Sequence, residues 1–192
     1  SSRLDVTARS LETGLVLDGR QGSREGKARV ETTEDGGDAR LVLTGGNRGW
    51  GFLRPGRLSR WELGVPDTLP VEFEMDGIMI GARFDLARGR VQSGDFKGVF
   101  LGLDVRLPRP STPIQLAFRG VFNTIDLYVP PGTPVRVRGV GFPFNLVDRG
   151  TGGDPKDAAT PGYDVKFEGV FSRIGVTDAE VTPPAAAKTS SR

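Results

Sequence analysis

Among the side chains whose chemistry could matter, three carboxylates stand out by position. Asp85, Asp104 and Asp126 each sit between two apolar residues: Phe84 and Leu86, Leu103 and Val105, Ile125 and Leu127. On extended backbone, such alternation turns the apolar neighbours one way and the carboxylate the other. The three aspartates then occupy the same outward place in successive repeats, with Asn145 in a fourth. Stacked in register about 5 Å apart, like charges repel by roughly 0.8 kcal/mol in bulk water and nearer 3 kcal/mol when partly desolvated. Arg83, two residues before Asp85, and Arg106, two after Asp104, share that face and supply the counter-charge. The bland reading is a solvated Asp/Arg lattice with little net effect on stability. The sharper one is a stripe that recognises a cationic partner such as a basic peptide, with Tyr128 as its apolar contact. The lattice is preferred.

The other candidates are weaker. Arg48, Arg54, Arg57 and Arg60 flank Trp50 and Phe52 in a Gly/Arg-rich stretch, residues 44–60, that could hold a phosphate or stack on a base or sugar. A surface loop whose aromatics fold onto the body explains it better, and the Gly49/Gly51 pair does not lead a strand into a helix as a dinucleotide fingerprint would. Asp154, Asp157 and Asp164 lack the alternation and closing glutamate of a calcium loop. Glu72 and Glu74 could be read as the acid pair of a glycosidase or lyase on a β-helix, but two acids among 24 carry little weight. The chain has no histidine and no cysteine, which removes imidazole and thiolate nucleophiles, disulfides and the usual transition-metal ligands. No catalytic residue, cofactor site or metal site is expected. With 26 basic and 24 acidic residues, the net charge of +2 gives no electrostatic case for nucleic acid.

The element that must position these residues is a repeat. FKGVFLGLDVRLP from Phe96 returns as FRGVFNTIDLYVP from Phe118, displaced by 22 residues. Echoes place marker glycines at Gly77, Gly98, Gly120, Gly139 and Gly169, spaced by 21, 22, 19 and 30 residues. A period near 20 is one turn of a solenoid, whose apolar face is buried only when the next copy stacks on it. Parallel crossovers wind right-handed, so the expected body is a right-handed β-solenoid, each rung stacked on the next copy. Prolines such as Pro108, Pro110, Pro130 and Pro131 mark its corners. Residues 149–164 read as a loop inserted between rungs. Phenylalanines recur at two offsets, Phe96, Phe118 and Phe167 and then Phe100, Phe122 and Phe171, and both sets are expected in the core. On that reading, removing Phe122 costs about 3–5 kcal/mol. In front, alternating runs on both sides of Asp35-Gly36-Gly37 predict an antiparallel hairpin. The division expected is residues 1–60 as an N-terminal antiparallel β region with the Gly/Arg-rich loop, 61–176 as solenoid repeats and 177–192 as a disordered tail.

The order WELGVP, GIMIGARFDL, GVFLGLDVRLP, GVFNTIDLYVPPGTPVRVRGVG, PGYDVKFEGVFSRIGV resembles the bacterial toast-rack family, related to the C-terminal domain of LiaF-like cell-wall-active antibiotic response proteins. The resemblance covers residues 61–176, and the front hairpin in outline. It implies an all-β, single-stranded β-helix held outside the cytoplasmic membrane behind a signal or membrane anchor that this chain does not include. It also implies a non-enzymatic interaction or sensing module of the cell envelope, with an envelope or membrane protein as partner. The family brings no catalytic residues to transfer. The alternative is a structural or adhesive component of the cell surface, since exposed end strands allow solenoids to associate with one another. No apolar run is long enough to span a membrane as a helix.

Overall fold

The computed structural model describes residues 2–9, 18–21, 29–35, 38–44, 59–78, 80–140, 146–149 and 160–179. They are strands and their connections, and no helix occurs among them. In chain order the strands are β1 (Ser2–Arg9), β2 (Asp18–Gln21), β3 (Arg29–Asp35), β4 (Asp38–Thr44), β5 (Ser59–Pro66), β6 (Pro70–Ile78), β7 (Ile80–Asp85) and β8 (Arg90–Val99). After them come β9 (Gly102–Arg106), β10 (Ile114–Val121), β11 (Thr124–Val129), β12 (Val135–Val140), β13 (Leu146–Arg149), β14 (Tyr163–Val170) and β15 (Arg173–Asp178).

Each repeat contributes one strand to each of two sheets. The five-stranded sheet runs β12-β14-β10-β8-β6 and the eight-stranded sheet β13-β15-β11-β9-β7-β1-β5-β2. Pairing is parallel throughout, except that β2 joins β5 antiparallel and β3 pairs antiparallel with β4, Asp35 opposite Asp38. The architecture is β-helix-like and all-β. Alternation decides which side faces in: Phe96, Phe118 and Phe167 from one sheet, and Leu103, Val105, Ile125, Leu127 and Ile174 from the other, are all buried. The rings of Phe96 and Phe118 stack with centroids 4.9 Å apart, the spacing of neighbouring strands. Phe84 crosses from the opposite sheet to meet Phe73 and Phe96 edge-on at 5.6 and 5.4 Å, so one core serves both sheets. At about 1.5–3 kcal/mol per large apolar side chain buried, such a core holds without covalent links.

The marker glycines have a steric cause. In register, Gly77, Gly98, Gly120 and Gly169 form one column, and a Cβ on Gly98 or Gly120 would run into the backbone carbonyl oxygen of the preceding rung's glycine. Gly139 is not their equivalent: it pairs with Phe167, two places earlier, and its missing Cβ clears the Phe167 carbonyl instead.

Three further expectations are corrected. Rungs do not stack in chain order, because the last one, β14 with β15, lies between β10/β11 and β12/β13. The step past a neighbour's place is made by residues 130–134, between β11 and β12, whereas β13 and β14 belong to adjacent rungs; residues 150–159 of the expected inserted loop lie outside the described residues. Second, the front is not wholly antiparallel, since β1 threads in parallel between β5 and β7, Val6 opposite both Leu63 and Phe84. Third, β15 continues to Asp178, and the Ala179 N–H donates to the Val129 carbonyl at 2.8 Å, so the first residues assigned to the tail belong to the sheet. Residues 180–192 lie outside the described residues. At the far end of the core the Tyr163 hydroxyl, fully enclosed, donates to the Pro108 carbonyl at 2.7 Å, and burial pushes its ionisation above the ordinary tyrosine range.

Candidate functional site

The outer surface of the eight-stranded sheet carries the residues singled out by charge. Asp104 and Asp126 are direct neighbours in register, but Asp85 is not in their column: Arg83 pairs with Asp104, and Asp85 with Arg106. The offset arises because the first repeat has its aspartate two residues later, counted from the marker glycine. The column therefore reads Arg83, Asp104, Asp126, two adjacent carboxylates beside one guanidinium where three like charges were expected. The Arg83 guanidinium lies 3.6 Å from the Asp104 carboxylate, both more than two-fifths exposed. Such a pair in water contributes at most about 1 kcal/mol. Tyr128 pairs with Arg106, whose guanidinium lies 5.9 Å from the centre of its ring. Beyond Asp126 the column passes through Gly175, where a Cβ would come within 2.9 Å of the Asp126 Oδ1, to Asp148 on β13. Asp164 is drawn into an ion pair with Arg138 on the other sheet. Asn145, Arg48, Trp50, Phe52, Arg54, Arg57, Asp154 and Asp157 lie outside the described residues.

A second surface follows from the corner between the sheets. Phe100, Phe122 and Phe171, expected in the core, stand half-exposed at 53, 46 and 47%. Each has a left-handed backbone, with φ of 58, 57 and 53°, which costs a residue bearing a Cβ about 1–2 kcal/mol. The reason is the bend. Strand β8 ends with Val99 outward, and Leu101 must point inward to the core, where it is 2% exposed; the left-handed residue between them makes that reversal. The ladder survives it: Phe100 N–H donates to the Val121 carbonyl at 3.0 Å and Phe122 N–H to the Val170 carbonyl at 2.9 Å. The three rings then stack over one another, centroids 5.0 and 5.2 Å apart and within 7° of parallel. Beneath them Asn123 is buried, its Oδ1 accepting from Leu101 N–H at 3.0 Å and its Nδ2 donating to the Gly98 carbonyl at 3.2 Å. Its own N–H donates to the Ser172 hydroxyl at 3.0 Å. The same place in the other repeats holds Ile80, Leu101 and Ser172. An asparagine in an otherwise apolar or small-residue column was a signal available in the sequence.

Along the outer face of the five-stranded sheet, charges form a connected lattice. Arg119 reaches Asp95 at 3.1 Å and Glu168 at 3.4 Å, Lys97 lies 3.5 Å from Asp95, and Lys166 lies 2.7 Å from Glu168. The hydrogen bond from Lys166, and then its charge, hold the Glu168 carboxyl below its ordinary 4.5. Among the described residues no group of three or more acids is placed to hold a metal ion.

No family model matches this chain, and no curated protein does. Among solved structures it is similar to that of a protein from Clostridium sporogenes ATCC 15579 described as a "putative cell adhesion protein". The identity is 12%, the TM-score 0.71, and the match covers 93% of this chain and 88% of that one. The two share a fold.

Proposed function

We propose that the chain is a non-enzymatic module of the cell surface that works by adhesion, on a body wound as a right-handed single-stranded β-helix. The observation that carries this reading is the phenylalanine column Phe100, Phe122 and Phe171, held half-exposed on left-handed backbone. Glycine or asparagine would take that backbone at lower cost. Large apolar groups kept in water at a strained position are better explained by a contact they make than by the fold they burden. The description of the Clostridium sporogenes neighbour as a cell adhesion protein speaks for the same use and for a place outside the cell. Envelope-stress sensing draws no support of this kind.

The test is attachment. Beads coated with the chain should adhere to cells of the producing strain well above uncoated beads. A Phe100→Ser/Phe122→Ser double variant that keeps its circular dichroism spectrum should adhere less. Wild-type beads that attach no better than bare ones would remove the adhesive reading.

A further inference from the structure

We propose that the outer face of the five-stranded sheet, with the phenylalanine column at its margin, is a twofold contact between two copies of this chain. The proposal deepens the adhesive reading and rests on it. Its basis is how charge is distributed about the middle strand, β10. On one edge, β6 turns Glu72, Glu74 and Asp76 outward, all exposed. On the opposite edge, β12 turns Arg136 and Arg138 outward. Between them β8 carries Asp95 and Lys97, and β14 carries Lys166 and Glu168, the same positions with the signs exchanged. β10 itself presents Gln115, Ala117 and Arg119.

Rotation by a half-turn about an axis along β10 exchanges β6 with β12 and β8 with β14 while keeping each residue's place along its strand. Glu72 of one copy then faces Arg136 of the second, and Glu74 faces Arg138. Asp95 faces Lys166, and Lys97 faces Glu168. Every one of these pairings occurs twice, as it must in a contact that uses the same patch on both copies. Among the charged residues of β10, Arg119 meets its own kind, and it already lies between Asp95 and Glu168. An arrangement in which opposite signs meet at four positions selects for the correct partner and orientation.

The apolar margin obeys the same operation. Beside the charges runs an outward column of Ile78, Val99, Val121 and Val170, of which Ile78 is 71% exposed. Next to it stand the phenylalanines. The half-turn sets Phe122 against Phe122 and Phe100 against Phe171, adding a dry strip to a charged face. The parallel stacking directs the ring faces at one another, so the rings offer their edges outward. A sugar, which packs on an aromatic face, is poorly served by that arrangement. A lipid surface would favour a basic border, and here both signs alternate.

Analytical ultracentrifugation of the full chain over a concentration series should show a monomer–dimer equilibrium. Two charge variants, Glu72→Lys/Glu74→Lys and Arg136→Glu/Arg138→Glu, should each dimerise roughly tenfold more weakly or worse, because like charges now meet. Mixed together they should recover a heterodimer. Phe100→Ser/Phe122→Ser should weaken the dimer without the mixing rescue. Circular dichroism checks each fold, and Glu72→Lys alone, at an exposed edge position, carries the test if a double variant unfolds. A chain that stays monomeric, a mixture that fails to recover, or species that lengthen with concentration through the β6 and β12 edges would each overturn the proposal. So would binding of monomers to phosphatidylglycerol vesicles that depends on Phe100 and Phe122. Monomers whose beads still attach to cells would end this contact and leave the adhesive reading standing; dimers whose beads attach to nothing would do the reverse.

Discussion

Two columns of phenylalanine run through the same three repeats, four residues apart, and meet opposite environments. Phe96, Phe118 and Phe167 are 1–2% exposed, whereas Phe100, Phe122 and Phe171 are about half-exposed. Residue type and period are shared, so neither sets the difference. The backbone does: the first column sits on regular strands, where alternation aims it at the core, and the second sits on the left-handed corner residue, whose side chain leaves the sheet edge. Stacking in the interior adds to burial. At the corner it offsets only part of the cost of the conformation, since two parallel pairs contribute about 0.5–1.5 kcal/mol each and three left-handed residues cost about 1–2 kcal/mol each. Burial stabilises one column, and the other is a net burden on the fold.

The largest way to break that contrast is Phe118→Ala. It should lower stability by about 3–5 kcal/mol in urea titration, because a cavity opens between rungs that cannot collapse. A loss under about 1 kcal/mol would contradict the interior placement. Next comes Asn123→Ala, which strips the acceptor from Leu101 N–H and the donor from the Gly98 carbonyl beneath the corner. Leaving buried backbone groups unsatisfied costs about 1–3 kcal/mol. Amide exchange at Leu101 should quicken, and unchanged protection there would show that Asn123 does not hold the corner. The last effect is the sharpest. Phe122→Ala should cost about 1–3 kcal/mol, the two stacked contacts it gives up. Phe122→Gly should be as stable as the alanine variant or more so, because glycine takes a φ of 57° without a Cβ penalty. At Phe118 the order is the usual one, glycine below alanine. Glycine below alanine at both positions would defeat the account of the corner.

Much of the fold was legible because a parallel stack repeats its demands. The Gly77, Gly98, Gly120 and Gly169 column follows from close contacts, with the adjacent carbonyl at Gly98 and Gly120 and with the Ile80 and Ser172 side chains at Gly77 and Gly169, and the alternation in LGLDVRL and NTIDLYV follows from a single dry face. The antiparallel pairing of β3 with β4 was legible for a local reason, the two alternating runs on either side of Asp35-Gly36-Gly37 in the sequence. The candidate site was less so. Reading Asp85 with Asp104 and Asp126 aligned the acids by appearance, whereas register is set by the marker glycines and moves Asp85 by two places. The exposed column was missed because hydrophobic recurrence looks the same for a side chain that packs inward and for one that packs only on its copies.

The sequence by itself determined which segments are equivalent, which residues of each strand face inward, and where no side chain larger than hydrogen fits. All of these depend on a residue and its near neighbours along the chain or in the next copy. Tertiary structure alone decided the order of the rungs, the threading of β1 between β5 and β7, and the exposure of Phe100, Phe122 and Phe171. Backbone pairing between parallel strands is nearly indifferent to which repeat lies next door. What selects a neighbour is how the whole stack closes its ends and routes its connections, a property that no single repeat contains.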